Sequence, residues 1–338
     1  MKQVVLKTYP QGDPASDDFA VVDADRPVLA EGELLLKTLW LSLDPLIRFT
    51  IDKKTLTGPT RVEPGEVMYG AAVSQVVESR NAEFVAGDFV EGRTGWREYA
   101  SVNPAAARLR KIDGSLAPLS TALGVLGMPG QTAYACMVDI GRVQPGETVV
   151  ISAAAGAVGS LAGQIGKILG ARVVGIAGGA EKGRALVDLG FDACVDYRAA
   201  DFADQLAAAC PKGIDVYVDN VGGDVTLTVM PLLNYRARMP VCGYIAYYGI
   251  GMEGPGPDRL PGFMRLIMSK GLELRGFGGA MVGGQKALDQ LAIWVGGGRI
   301  RYPETIVEGI EKAPAAFAGI FRRNANIGKL LVKIADPD

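Results

Sequence analysis

The chain has 338 residues, 49% hydrophobic and 21% charged, with a formal net charge of −2. That length exceeds what one hydrophobic core usually serves, so two domains are expected. Lys and Arg spread along the chain exclude a basic nucleic-acid stripe, no apolar run reaches the roughly 18 residues of a membrane helix, and a histidine count of 0 excludes Ser-His-Asp triads, imidazole shuttles and His-ligated zinc.

The N-terminal run Met1–Leu6 turns polar within a few positions. It is too short for a signal-peptide core, and the protein is expected to be soluble and cytoplasmic. Cys136, Cys194, Cys210 and Cys242 show no Cys-x-x-Cys spacing and read as reduced thiols. Any general acid must be Tyr, Lys, Cys or a carboxylate, or come from substrate, cofactor or water.

Up to about residue 120 the pattern is strand-rich. Short apolar runs such as Leu34-Leu35-Leu36, Ala71-Ala72-Val73 and Val76-Val77 are punctuated by Gly and Pro. This predicts a partly closed antiparallel β domain. After Met128-Pro129-Gly130 the character changes. Strands are predicted over 147–152, 172–176, 193–196, 214–218, 239–243 and 272–276, with helices over 157–169, 181–189 and 199–210. Six strands with helices between them form the pattern of a doubly wound parallel sheet. Gly170 and Gly190 each follow a helical run and suit a left-handed cap. The segment 249–265, rich in Gly and Pro, predicts a mobile loop beside the substrate cleft. The tail holds Thr305-Ile306-Val307, a helix around Pro314–Phe321 and a last strand near Gly328–Val332 that returns to the first domain. The expected division is therefore 1–121 with 295–338, and 122–294 inserted between them.

Residues 149–159, Val-Val-Ile-Ser-Ala-Ala-Ala-Gly-Ala-Val-Gly, run from an apolar strand through a tight turn into a helix. Gly156 lets backbone approach a pyrophosphate, Gly159 lets helix and strand pack closely, and the helix N-terminus offers free N–H groups. Ala154 replaces the first glycine of the usual G-x-G-x-x-G. An NAD site usually carries a carboxylate at the end of the second strand. Here that end reads Ile176-Ala177-Gly178-Gly179, with Lys182 next and Tyr197-Arg198 after the third strand. A small strand end beside a cation suits the 2′-phosphate of NADP; Glu181 is the discordant charge.

These motifs resemble the medium-chain dehydrogenase/reductase superfamily. The chain is most similar to its zinc-free branch of leukotriene hydroxydehydrogenase/prostaglandin reductases, plant double-bond reductases and bacterial curcumin reductase. The carriers are Leu43-Asp44-Pro45 with Arg48, Gly127-Met128-Pro129-Gly130 with Thr132-Ala133-Tyr134, the 153–159 turn and Glu181-Lys182. Further carriers are Asp219-Asn220-Val221-Gly222-Gly223, Cys242-Gly243, Pro314–Phe317 and Asn326-Ile327-Gly328-Lys329. The resemblance implies a Rossmann domain inserted into a GroES-like β-barrel domain, a homodimer, and NADPH as cofactor. It assigns Lys182 and Tyr197 to the 2′-phosphate end and Gly156, Ala157, Val158 and Gly159 to the pyrophosphate. Asn220 lines the cofactor cleft, Cys242, Gly243 and Phe277 flank the nicotinamide, and Asn326 reaches the cofactor from the returning tail. Tyr248 matches a proton-donating or substrate-orienting tyrosine. The implied reaction is reduction of the carbon–carbon double bond of an α,β-unsaturated aldehyde or ketone.

Some positions depart from the family pattern. Leu46 stands where a tyrosine is common, Tyr244 and Tyr247 are additional, and Ala246 replaces a usual serine. The choice of donor and the substrate pocket therefore stay open. Arg48 reads as a structural ion-pair partner and Cys242 as a small residue without redox role. Quinone or carbonyl reduction on the same scaffold, or nucleotide binding without turnover, are the competing readings.

Overall fold

The short apolar runs of the first part each become a strand. They are β1 (Lys2–Leu6), β2 (Phe19–Asp23), β3 (Leu34–Ser42), β4 (Ala71–Ser79), β5 (Phe89–Arg93), β6 (Tyr99–Val102) and β7 (Arg110–Lys111). Alternation follows: α1 (Met128–Tyr134), β8 (Thr148–Ile151), α2 (Ala157–Ile168), β9 (Arg172–Ala177), α3 (Ala180–Asp188), β10 (Ala193–Asp196), α4 (Phe202–Ala209) and β11 (Ile214–Val218). Then come α5 (Gly223–Val229), β12 (Leu233–Val241), α6 (Leu260–Lys270), β13 (Glu273–Gly276) and α7 (Gly284–Gly296), and finally β14 (Glu304–Glu308), α8 (Ala313–Phe321) and β15 (Lys329–Lys333). The computed structural model describes residues 1–53, 61–115, 117–248, 256–278, 283–322 and 326–338. Two units result: Met1–Leu123 with Glu304–Asn324 and Leu330–Asp338, and Gly124–Pro303 with Ala325–Lys329.

In the first unit β1 and β2 pair antiparallel, and a second sheet runs β14-β15-β3-β4-β5-β7 with β6 also on β3. The predicted last strand thus joins β3, with Leu331 opposite Ser42 and Val332 opposite Leu41. Its core centres on Trp96, whose ring lies 5.6 Å from Phe317 and 6.0 Å from Phe19. A Cβ at Gly70 would come within 2.6 Å of the Trp96 indole nitrogen, so the ring requires glycine there. Arg48 is buried, and its guanidinium donates to the carbonyl oxygens of Gly12 (2.9 Å) and Ile51 (3.4 Å). This corrects the ion-pair expectation. Asp52, Asp13 and Asp18 act on it only through longer-range attraction, while burial, the larger effect, lowers its pKa.

The second unit holds one six-stranded sheet in the order β10-β9-β8-β11-β12-β13. Every pairing in it is parallel. The helix following β8 buries Leu161, Ala162 and Ile165, while Ile168 is only partly buried. Each such leucine or isoleucine contributes about 1.5–3 kcal/mol when fully buried. Gly163 leaves space for the Phe191 ring, which a Cβ would meet at 1.9 Å. Gly170 and Gly190 have φ of +84° and +97°, the left-handed conformation expected after their helices. Gln164 accepts from Arg301 N–H (2.8 Å) and donates to Arg301 C=O (2.7 Å), so one side chain satisfies a connecting segment as a strand would.

The structure moves both ends of the fifth parallel strand. The fifth parallel strand begins at Leu233 rather than 239. Arg236 at φ +60° and a register shift against β11 explain why this polar stretch does not read as a strand. It ends at Val241 rather than 243, because the N–H groups of Cys242 and Gly243 turn to the Asp219 carbonyl (3.0 and 3.1 Å). Of the predicted loop 249–265, residues 249–255 lie outside the described ones, and from Leu260 onward the chain is helical. Pro261 sits in the first turn, where its missing N–H costs nothing.

Candidate active site

In an open parallel sheet, ligands bind beyond the carboxyl ends of the strands, where strand order reverses. Here the reversal lies between β8 and β11. Gly156 to Gly159, Lys182, Tyr197, Asn220, Cys242, Gly243, Tyr248 and Phe277 all follow the carboxyl ends of strands in this one sheet. They group into three clusters.

The first is the turn from β8 into α2. Gly156 is the helix N-cap, with extended φ −79° and ψ 178°. A Cβ on Gly156 would meet only the Ala153 carbonyl, at 3.3 Å. A Cβ on Gly159 would lie 2.6 Å from that oxygen and 2.7 Å from Ala154 Cα. The two glycines therefore do different work: Gly156 leaves its outer side bare, and Gly159 lets the helix touch the strand. Ala157 and Val158 carry the first N–H groups of α2, which have no helical partner and can meet an anion. The missing first glycine is compensated twice. Ala153 itself takes the left-handed conformation (φ +47°), and the Ala154 methyl fits because Gly175 on β9 has no side chain (a Cβ there would be 3.0 Å away). The tail returns here as well: Gly328 N–H donates to Ala155 C=O (2.7 Å), and Gly328 bridges Gly156 in parallel. Asn326 stands two residues before that bridge.

The second cluster is the end of β9. Gly179 is left-handed (φ +92°). Asp196 holds this end to the end of β10, since its carboxylate accepts from Gly179 N–H and Arg198 N–H, both at 2.9 Å. Tyr197 is 38% exposed, and its ring centroid lies 5.5 Å from the Arg198 guanidinium carbon. Half-buried Lys182 has its pKa lowered, first by burial and then by the Arg198 charge, with Glu181 opposing.

The third cluster surrounds Asn220. Its Nδ2 donates to Ser152 C=O (2.7 Å), its Oδ1 accepts from the Cys242 thiol (2.9 Å), and its backbone N–H donates to Ser152 Oγ (2.8 Å). Beneath it, buried Asp219 accepts from Ser152 Oγ (3.2 Å), Tyr217 Oη (3.0 Å), Thr226 Oγ1 (2.6 Å) and the N–H groups of Val221 and Gly222 (2.9 Å each). Asp219 belongs to a motif that the sequence singles out, but its scaffold role is legible only once its five donors are placed. Gly243 must lack a side chain, because a Cβ would come 2.9 Å from the Asn220 carbonyl. Phe277 follows β13, bonds Val241 C=O through its N–H (3.4 Å) and packs on the core. Cys136 lies buried beside Cys242; burial, then the Cys242 thiol, raises its pKa. Tyr248 is 8% exposed and meets Tyr244 edge to face at 5.2 Å. Burial pushes its phenol up to about 12, against a backbone hydrogen bond with Tyr244 that pulls the other way. Tyr247 is the residue the sequence undervalues: its ring covers the Gly222-Gly223 turn, 3.4 Å from where a Gly222 Cβ would stand.

A bare glycine, free helix N–H groups and a cationic strand end at the reversal of a parallel sheet are the features of a dinucleotide-binding oxidoreductase fold. Residues 2–112 match the family model for the N-terminal domain of oxidoreductase, and residues 157–293 that for zinc-binding dehydrogenase. The NADPH-dependent curcumin reductase of Escherichia coli is 44% identical over 99% of this chain and 97% of its own. Prostaglandin reductase 1 of Rattus norvegicus is 40% identical over 98% of both chains. The crystal structure of CurA from Vibrio vulnificus in complex with NADPH superposes with a TM-score of 0.92 at 42% identity, covering 100% of both chains. The chain belongs to the medium-chain dehydrogenase/reductase family, in the zinc-free branch that includes curcumin and prostaglandin reductases. Among the described residues no helix is long and apolar enough to cross a membrane.

Proposed function

We propose that this chain is an NADPH-dependent reductase of the carbon–carbon double bond of α,β-unsaturated aldehydes and ketones, working without a metal and as a homodimer. NADPH, when bound, supplies the hydride that the β-carbon receives. The residues fit that cofactor: Gly156 to Gly159 leave room and donors for the pyrophosphate, Lys182 and Tyr197 attend the 2′-phosphate, and Asn220, Cys242, Gly243 and Phe277 shape the nicotinamide end. Asn326, carried by the tail that bridges Gly156, adds a polar contact.

The observation that carries the chemistry is the Tyr248 phenol, buried at the Asn220–Cys242 end with its pKa pushed up to about 12. Such a group remains protonated throughout the neutral range. It can give a hydrogen bond to a carbonyl oxygen as that oxygen gains negative charge, and it cannot act as a base there. Asp219 is saturated with donors and holds the loop rather than a proton in transit. The α-carbon then takes its proton from Tyr248 or from water. The absence of histidine from the whole chain supports a mechanism without zinc.

The test offers enone, quinone and plain ketone in turn and follows loss of NADPH absorbance. We expect turnover of the enone to the saturated ketone, unaffected by chelators, with label from deuterated NADPH at the β-carbon. Turnover of the quinone alone would transfer the protein to the quinone reductases, and a strict zinc requirement would overturn the mechanism. Sedimentation at twice 35.5 kDa would support the dimer.

A further inference from the structure

Arg198 stands in the turn after β10; the sequence places it near the second strand's end, but the assignments above give its side chain no role of its own. It lies over the one part of the β9 end that carries no side chain. A Cβ on Gly178 would meet the Arg198 guanidinium at 2.5 Å (Nε), 2.7 Å (Cζ) and 2.9 Å (Nη2). All three atoms belong to the planar head, so the guanidinium lies against bare glycine backbone. The position is not accidental slack. Both carboxylate oxygens of Asp196 are committed to backbone N–H groups, one in each turn, which holds Gly179 and Arg198 together. The Tyr197 ring centroid lies 5.5 Å from the Cζ of the same head.

We propose that Arg198 is a specificity-determining residue: its guanidinium, seated on Gly178 beside Lys182 and Tyr197, recognises the 2′-phosphate of the cofactor and occupies the space in which an NAD-type carboxylate would work. The inference rests on the NADPH reading above. Its physical content is geometric. A guanidinium presents a rigid fork that matches two phosphate oxygens, whereas an ammonium supplies a point charge. The two cations are close enough that the Arg198 charge contributes to lowering the Lys182 pKa, after burial. Such like-charge convergence is relieved by an anion. Arg198 is exposed and within reach of a ligand. Gly178 therefore matters for more than the carboxylate it lacks: any side chain there displaces the arginine.

The test measures binding of adenosine 2′,5′-bisphosphate and adenosine 5′-phosphate by calorimetry, with KM for NADPH and NADH alongside. For Arg198→Leu we expect the bisphosphate to bind about tenfold or more weakly, with the 5′-phosphate changed less than about twofold, and the NADPH preference to fall in parallel. Arg198→Lys restores the charge without the fork and should recover only part of the loss. Gly178→Ala keeps the arginine but moves its head, so it should also weaken the bisphosphate several-fold at an unaltered melting temperature. A wild type that distinguishes the two phosphates, with an Arg198→Leu variant that distinguishes them equally well, overturns the role of Arg198 alone. A wild type that binds both alike overturns the NADPH reading, and this inference with it.

Discussion

Replacing Gly156 and Gly159 by alanine, one at a time, separates cofactor binding from folding within four residues. At Gly159 the new methyl would stand 2.6 Å from Ala153 O, 2.7 Å from Ala154 Cα and 2.9 Å from Ala154 O. All three obstacles are backbone, so relief requires moving α2 away from β8. Overpacking of this kind costs about 1–3 kcal/mol, and rigid partners place it at the upper end. A loss of about 3 kcal/mol lowers Tm by roughly 6–12 °C for a unit of this size. At Gly156 the backbone conformation suits any residue, and the methyl meets a single atom at 3.3 Å. The expected stability change is below about 1 kcal/mol. The methyl does project where the pyrophosphate has to approach, so NADPH affinity should fall at least about tenfold, or 1.4 kcal/mol. Thermal unfolding without cofactor gives one number, and NADPH titration by fluorescence gives the other. Gly156→Ala binding NADPH as well as wild type would refute the placement of the pyrophosphate on this turn. Gly159→Ala melting with wild type would refute the packing argument.

Tyr248→Phe should lower kcat at saturating NADPH by about tenfold or more, the scale of a lost general acid; unchanged kcat would leave donation to water. The Tyr248 pKa is raised from 10.0 to about 12, so its neutral form favours folding: that contribution is complete below pH 10 and disappears as pH rises toward about 12. Alkaline unfolding of Tyr248→Phe, compared with wild type, should show a smaller stability loss across that window. Asp219→Ala would remove the shared acceptor of three buried hydroxyls and two N–H groups, leaving the hydroxyls only the Tyr217–Thr226 and Ser152–Val218 contacts, and a loss of about 3 kcal/mol is expected, read by urea denaturation. Ala153→Gly relieves a left-handed alanine on an exposed position and should raise stability by up to about 1 kcal/mol; a lower melting temperature would contradict it.

Much of the parallel sheet was legible because β8, β9 and β11 are short runs rich in β-branched residues. The β10 strand and the β11 strand fall on their predicted residues, 193–196 and 214–218. What escaped has physical causes. The first half of β12 is polar and bent at Arg236, so its period is broken. Neither α1 nor α7 stands out: α1 opens on Met128-Pro129-Gly130, and its glycine is required by the Val125 carbonyl, 1.9 Å from a Cβ there. At the site, motifs locate Asn220 and Cys242, yet their mutual hydrogen bond joins residues 22 apart in sequence. Spacing along the chain cannot display such a bond. The commitment of both Asp196 oxygens to backbone is hidden in the same way, and with it the reason that Arg198 lies on Gly178.

The bridge from Gly328 to the 155–156 turn sets an order of events during synthesis. Chains emerge N-terminus first, and domains commonly fold as they appear. By the time residue 303 has emerged, all six parallel strands exist, but the carbonyl of Ala155 still lacks its partner. The turn from β8 into α2 is completed by a segment made after the whole parallel sheet, which then continues into β15 of the other unit. A nascent chain at that stage thus holds all six strands and still lacks the Gly328 bridge at the turn from β8 into α2.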